Sequence, residues 1–272
     1  MVIYQRKECS ILMKTISNNK KDCKSLKKIS FHLLSIIIWI VLWHIIATKL
    51  SNELFLPTPS KVFHVLFEDL LPSLEFRLSV KTSFLHIITG FVFGAFVGTL
   101  LAALSYICEA ISVFLSFPIK IIKSIPVASF VVLTLLWCPS QKLSIFISFL
   151  VVFPIFYINT LEGLNHTDKK LLEMANLFKI HRIDKIKHIY IPQIISYLCS
   201  ASSLAIGMAW KSGIAAEIIG LAKNSIGNQL YMSKVYLMTP ELFAWTIVII
   251  ILSIICEQLI KSLTFLLLRR KD

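Results

Sequence analysis

Apolar runs without a charged residue recur along this chain at lengths that a bilayer sets. The first is Ile29–Thr48, close to the ~20 residues that cross the hydrocarbon core as a helix. Others are Thr82–Cys108, Leu143–Leu161 and about Ile189–Trp210. A further run begins at Ala110, is interrupted by Lys120 and Lys123, and resumes over Ser124–Gln141. Pro118 and Pro126 lie inside it, so it is expected to divide into two pieces. The last, Leu242–Leu268, carries Glu257 and Lys261 near its end. The pattern predicts six helices in an all-α, polytopic membrane bundle over residues 29–268, preceded by a basic segment, 1–28. A signal peptide needs an apolar core of only about 7–15 residues. Ile29–Thr48 is longer, so it is expected to stay as the first helix.

Between the fourth and fifth runs the pattern changes. Residues 162–192 are too polar to span and too regular for a slack linker. Leu171, Met174, Ala175 and Phe178 recur at intervals of three and four, which places them on one helical stripe. A second short helix is expected to start after Asp184, with Ile186 and Ile189 on one side. Pro192 then opens the fifth long helix, where a missing N–H is tolerated. The expectation is a helix–turn–helix on a membrane surface. On these residues alone, an interfacial hairpin that only rests on lipid headgroups fits equally well.

Composition agrees with the pattern. Of 272 residues, 56% are hydrophobic and 16% charged, against about 25% charged in a soluble domain. The formal net charge of +13 would invite a nucleic-acid reading, but basic residues that flank membrane spans account for it. Placing the N-terminus in the cytoplasm puts eighteen Lys and Arg in the inner segments (1–28, 162–188 and the C-terminal end) and seven in the outer ones. That asymmetry favours both termini inside. No segment outside the spans is long enough for an enzyme domain, and no Walker A sequence occurs. The six cysteines form no C-x-x-C pair, and the seven histidines no H-E-x-x-H, so no metal site and no catalytic group is expected.

Two further patterns matter. Gly90, Gly94 and Gly98 stand four apart in the second run, on one helix face, where missing side chains let another backbone approach. Packing inside one chain is the plainer reading of that face. Lys211 and Glu217 follow the charge-free core of the fifth run. Ionisable groups near the membrane interior are candidates for the translocation path, with snorkelling or pairing at the interface as the alternative.

The 162–192 segment resembles the EAA loop of binding-protein-dependent ABC importer permeases. That pattern has Glu-Ala-Ala, three residues, Gly, and a Pro nineteen residues after the Glu. Here Glu173-Met174-Ala175 stands first, Lys179 takes the glycine position, and Pro192 completes the spacing. Lys179 replaces a residue that turns the chain with positive φ, so the turn is expected to be strained or displaced to Ile180 or His181. Other stretches resemble the nitrate, sulfonate and taurine branch in the same order: Phe55–Val62, Phe117–Trp137, Ala209–Gly220, and Ser225–Leu230 with Gly227 retained. The chain departs from that branch at Trp137-Cys138-Pro139, where Phe-Gly usually follows the Trp.

The resemblance implies a bacterial plasma-membrane permease subunit for a small solute: a sulfonate-, nitrate- or taurine-like anion, or one like a thiamine precursor. It implies two ATP-binding subunits docked on the loop (Glu173, Met174, Ala175, Phe178, Lys179, Pro192), with ATP and Mg on those subunits and no cofactor on this chain. It also implies a second permease chain, in a homodimer, and an external solute-binding protein. An ion-coupled carrier or channel is the alternative; it calls for paired ionisable residues mid-membrane or an internal repeat, and the sequence displays neither.

Overall fold

The computed structural model describes residue 31, residues 34–50, residue 52 and residues 54–269. The basic segment 1–28 and the C-terminal Arg270 and Lys271 lie outside the described residues. The chain forms two units, Met1–Phe63 and His64–Asp272. In the first, the apolar helix α1 (Leu34–Leu50) carries the described part of the first predicted span. A short helix, α2 (Pro59–His64), follows with proline in its first turn, and a π-helical turn, Val65–Leu70, opens the second unit.

The second unit is built on α3 (Leu74–Ile107). It starts eight residues before the charge-free run, because its first turns carry Glu75, Arg77 and Lys81. Ser73 caps it, accepting a hydrogen bond from the Phe76 N–H at 3.1 Å, and Glu75 meets the positive end of the helix dipole.

The third predicted span is two helices, α4 (Glu109–Ser124) and α5 (Val127–Thr134), bent by 103°. Of its two prolines only one breaks it. Pro118 is carried inside α4. Pro126 drives Ile125 into extended backbone, φ −83° and ψ 132°, as a residue before proline prefers.

Next comes α6 (Ser140–Asn165), and the three glycines of α3 pack on it. A Cβ at Gly94 would stand 2.9 Å from the Val152 Cβ, and one at Gly98 would stand 2.7 Å from the Phe153 carbonyl oxygen. Gly90 meets Ile145 and Ser148 in the same way. The partners advance in step with the glycines, so α3 and α6 run parallel, backbone nearly on backbone. Parallel helices need a return crossing between them, and the broken pair provides it. Ile119 of α4 packs with Ala102 toward the end of α3 and with Phe153 and Tyr157 in the second half of α6. Val131 of α5 packs with Leu143, Ile147 and Ala216 near the start of α6.

After the hairpin, α9 (Ile191–Gly220) runs antiparallel to both. Gly213 lies against Ile87 and Ser148, Gly220 against Leu143, and Gly163 against Tyr197. A shorter helix, α10 (Ile226–Val235), precedes α11 (Thr239–Arg269). The last packs antiparallel on α9, where the Trp210 Nε1–H donates to the Ile249 carbonyl at 3.2 Å. Among the described residues four helical runs are long and apolar enough to cross a membrane, or five if the bent pair is one span. The predicted six therefore include α1, whose described part has 17 residues, and one broken span.

Candidate functional site

Residues 166–190 fold as the predicted hairpin. Asp168 starts α7 (Lys169–Leu177) by accepting from the Lys170 N–H at 2.9 Å. Its own N–H donates to the Gln193 side chain at 3.1 Å, which ties the hairpin's start to α9. The helix ends in a left-handed turn. The Ile180 N–H reaches back to the Ala175 carbonyl and the Lys179 N–H to that of Asn176, both at 3.0 Å. This is the paired hydrogen-bond pattern of a Schellman terminus, which requires a left-handed residue just past the helix. That residue is Lys179, at φ 50°. The turn is not displaced to Ile180 or His181; the lysine adopts the glycine conformation in place.

The second helix begins earlier than the spacing predicts. His181 caps α8 (Arg182–Lys185), so helix starts before Asp184 rather than after it, because the turn closes at Lys179. A π-helical turn, Ile186–Tyr190, then joins α8 to α9 without a break. Pro192 sits in the first turn of α9, as expected. The Lys185 ammonium donates to the Asn176 side-chain carbonyl and closes the hairpin across its mouth. The apolar stripe is not turned inward as a unit. Ala175 is buried, whereas Leu171, Met174 and Phe178 are exposed. Leu177 and Phe178 are 83% and 74% exposed at the hairpin's tip, beside the exposed Glu173.

Glu217 and Lys211 occupy unlike surroundings on α9. Lys211 is exposed. Glu217 is 0% exposed and joins three helices. Ser83 Oγ of α3 donates to its Oε2 at 2.7 Å, and the Gly227 N–H at the start of α10 donates to the same oxygen at 3.2 Å. Ser83 Oγ also accepts from the Ile226 N–H at 2.9 Å. The chain reaches this arrangement through two left-handed residues, Leu221 and Asn224, and the cap Ser225. A Cβ at Gly227 would collide with Glu217 and with the Ile218 backbone, which explains glycine there.

Sequence reasoning passed over a third feature. Both halves of the broken span, together with α6 and α9, wall a cleft of about 350 Å³. Lys123 lines it, with Val127, Pro154, Leu204 and Met208. The lysine had registered only as an interruption in an apolar run.

Comparison with known proteins bears on what this arrangement is. Residues 83–272 match the family described as the binding-protein-dependent transport system inner membrane component. The chain belongs to that family. The permease is 23% identical to the putative aliphatic sulfonates transport permease protein SsuC of Bacillus subtilis (strain 168) over 236 residues, 86% of this chain and 84% of that protein. It is also 23% identical to the nitrate import permease protein NrtB of Synechococcus elongatus over 192 residues, covering 67% and 68%. Among solved structures, one described as the crystal structure of an amino acid ABC transporter with histidines matches 76% of the permease and 95% of that chain. The TM-score is 0.50 at 20% identity, a likeness in fold. The permease is thus a multi-pass inner-membrane translocation subunit of an ABC importer.

Proposed function

We propose that this permease lines the pathway for a small anion and couples to a separate ATP-binding subunit through the 166–190 hairpin. Two permease chains would form the pathway, and an extracytoplasmic binding protein would supply the solute. The hairpin and both termini would lie in the cytoplasm, as the basic-residue asymmetry favours. ATP binding on the partner subunits would draw the two hairpins together and open the pathway outward; hydrolysis would reset it. The relatives' names, for sulfonates and nitrate, support an anionic solute.

The observation that carries the reading is the hairpin's tip. Leu177 and Phe178 stand exposed on a corner held by a Schellman turn and by the Lys185–Asn176 hydrogen bond. A rigid corner that displays an aromatic next to a carboxylate suits a protein cleft, with Phe178 as the apolar anchor. The test is co-purification of the ATPase subunit with Glu173→Ala and Phe178→Ala permeases. Both variants should insert normally, and both should lose ATPase association and uptake. The Glu173 change alone should weaken association by about 1–3 kcal/mol, the effect of leaving a partner group unpaired. Undiminished association and uptake in both variants would mean that the hairpin is not the docking element.

A further inference from the structure

The cleft at the broken span bears on what the pathway selects, and the reasoning rests on the permease reading above. Its wall residues place it in depth. Pro154 is near the middle of α6, and Leu204 and Met208 are near the middle of α9. Lys123 is therefore an ammonium at about mid-depth of the bundle, and it is exposed. An ammonium facing hydrocarbon at that depth is strongly disfavoured, and such residues turn toward a water-filled cavity or the bundle interior. The face that bears Lys123 thus belongs to the pathway and not to lipid.

The same face carries more positive charge and, along the cleft, no acid. Lys120 is exposed three residues before Lys123, on the adjoining surface of α4. Lys211 stands three residues after Met208, on the same side of α9 and one turn nearer its C-terminal end. None of the residues lining the cleft is Asp or Glu. A discontinuous span at mid-membrane is a recurrent way to build a solute site. This one adds the uncapped first turn of α5, whose Pro126 offers no side-chain acceptor to its N–H groups. The volume of about 350 Å³ is of ligand-pocket size and admits a small oxyanion such as nitrate or a sulfonate.

We infer that Lys123 is a selectivity residue of the translocation pathway: it holds a small oxyanion in the cleft between α4, α5, α6 and α9 during passage. Glu217, in contrast, is a structural carboxylate away from the cleft.

The test does not require the solute to be known. In full-length permease co-purified with its ATPase subunit and reconstituted in liposomes, the six native cysteines are replaced by alanine and Met208→Cys is introduced. Its thiol is titrated with methanethiosulfonates bearing a sulfonate or a trimethylammonium group, each rate normalised to that of a free thiol. The sulfonate reagent should react about tenfold faster, the factor one nearby charge supplies at intermediate dielectric. Lys123→Gln should cut the preference several-fold, leaving what Lys120 and Lys211 supply, and Lys123→Arg should keep it. Millimolar nitrate or methanesulfonate should slow labelling with lysine or arginine at position 123 and not with glutamine. Equal rates for the two reagents, or a preference unchanged in Lys123→Gln, would overturn the inference and leave hairpin docking untouched. Loss of docking evidence with charge-selective labelling intact would do the reverse.

Discussion

Lys179 holds a left-handed backbone at φ 50°, a conformation that costs a non-glycine residue about 1–2 kcal/mol. Lys179→Gly should therefore raise the apparent Tm of the purified permease by about 2–4 °C, and Lys179→Val should lower it. Thermal unfolding in detergent checks both; an unchanged Tm for the glycine variant would show that the turn is unstrained. The arithmetic at Glu217 has the opposite sign. Glu217→Ala would leave the Ser83 hydroxyl and the Gly227 N–H without their buried acceptor, at about 1–3 kcal/mol each. Glu217→Gln keeps one carbonyl acceptor and should lose much less. If both variants melt with the native protein, the three-helix joint does not contribute to stability. The hairpin itself was readable from the interval of its apolar residues, whereas Glu173, Lys179 and Pro192 were singled out by the resemblance to the EAA loop. The role of Lys123 was not readable. A run-by-run reading sees a charge that interrupts hydrophobicity, whereas the cleft that gives the charge its meaning is walled by helices far apart in sequence.

At the scale of the elements, the tightest fit is the α3–α6 seam. Gly94→Leu would place four carbons where a single Cβ already stands 2.9 Å from Val152. Overpacking of this kind costs about 1–3 kcal/mol even where neighbours give way, and here they include the Phe149 carbonyl and the Cβ of Val152, neither the far end of a flexible side chain. Folded yield and the monodisperse fraction by size-exclusion chromatography should both fall sharply. A well-behaved Gly94→Leu permease would disprove the close approach. The long helices were legible because a lipid environment demands long apolar runs, and their glycine face announced the contact without naming the partner. α10 was not legible. IGNQLYMSKV has no marked apolar periodicity, and its helix depends on the Ser225 cap and on Ser83 and Glu217 receiving its first two N–H groups. The division of the third span into two pieces was expected from Pro118 and Pro126 together, and it falls at Pro126. Pro118 is carried within a helix that packs on α6 through Ile119.

For the whole molecule, parallel α3 and α6 tie the sidedness of distant loops together. The end of α3 and the hairpin share one side, as Tyr106 and Tyr190 confirm with ring centroids 5.8 Å apart. The start of α6 and the α9–α10 connection share the other, since Leu143 packs on Gly220. With the termini inside, a cysteine at position 181 should label only from the cytoplasm and one at position 224 only from outside. Labelling of position 181 in intact cells by an impermeant reagent would reverse the assignment.

The hairpin's second arm does not stop at the membrane surface. Helix is continuous from Arg182 to Gly220, 39 residues, roughly 58 Å at 1.5 Å per residue. On the proposed function it would act as a connecting rod, with the hairpin corner at one end and the Ser83–Glu217–Gly227 joint at the other. A push on the corner would travel along the rod past Leu204 and Met208 before it reached that joint. The π-helical turn Ile186–Tyr190 interrupts its α-helical winding, and a change of winding there would convert axial thrust into rotation. On that reading, force applied on one side of the bilayer would be delivered, through a single covalent shaft, to the packing of three helices on the other.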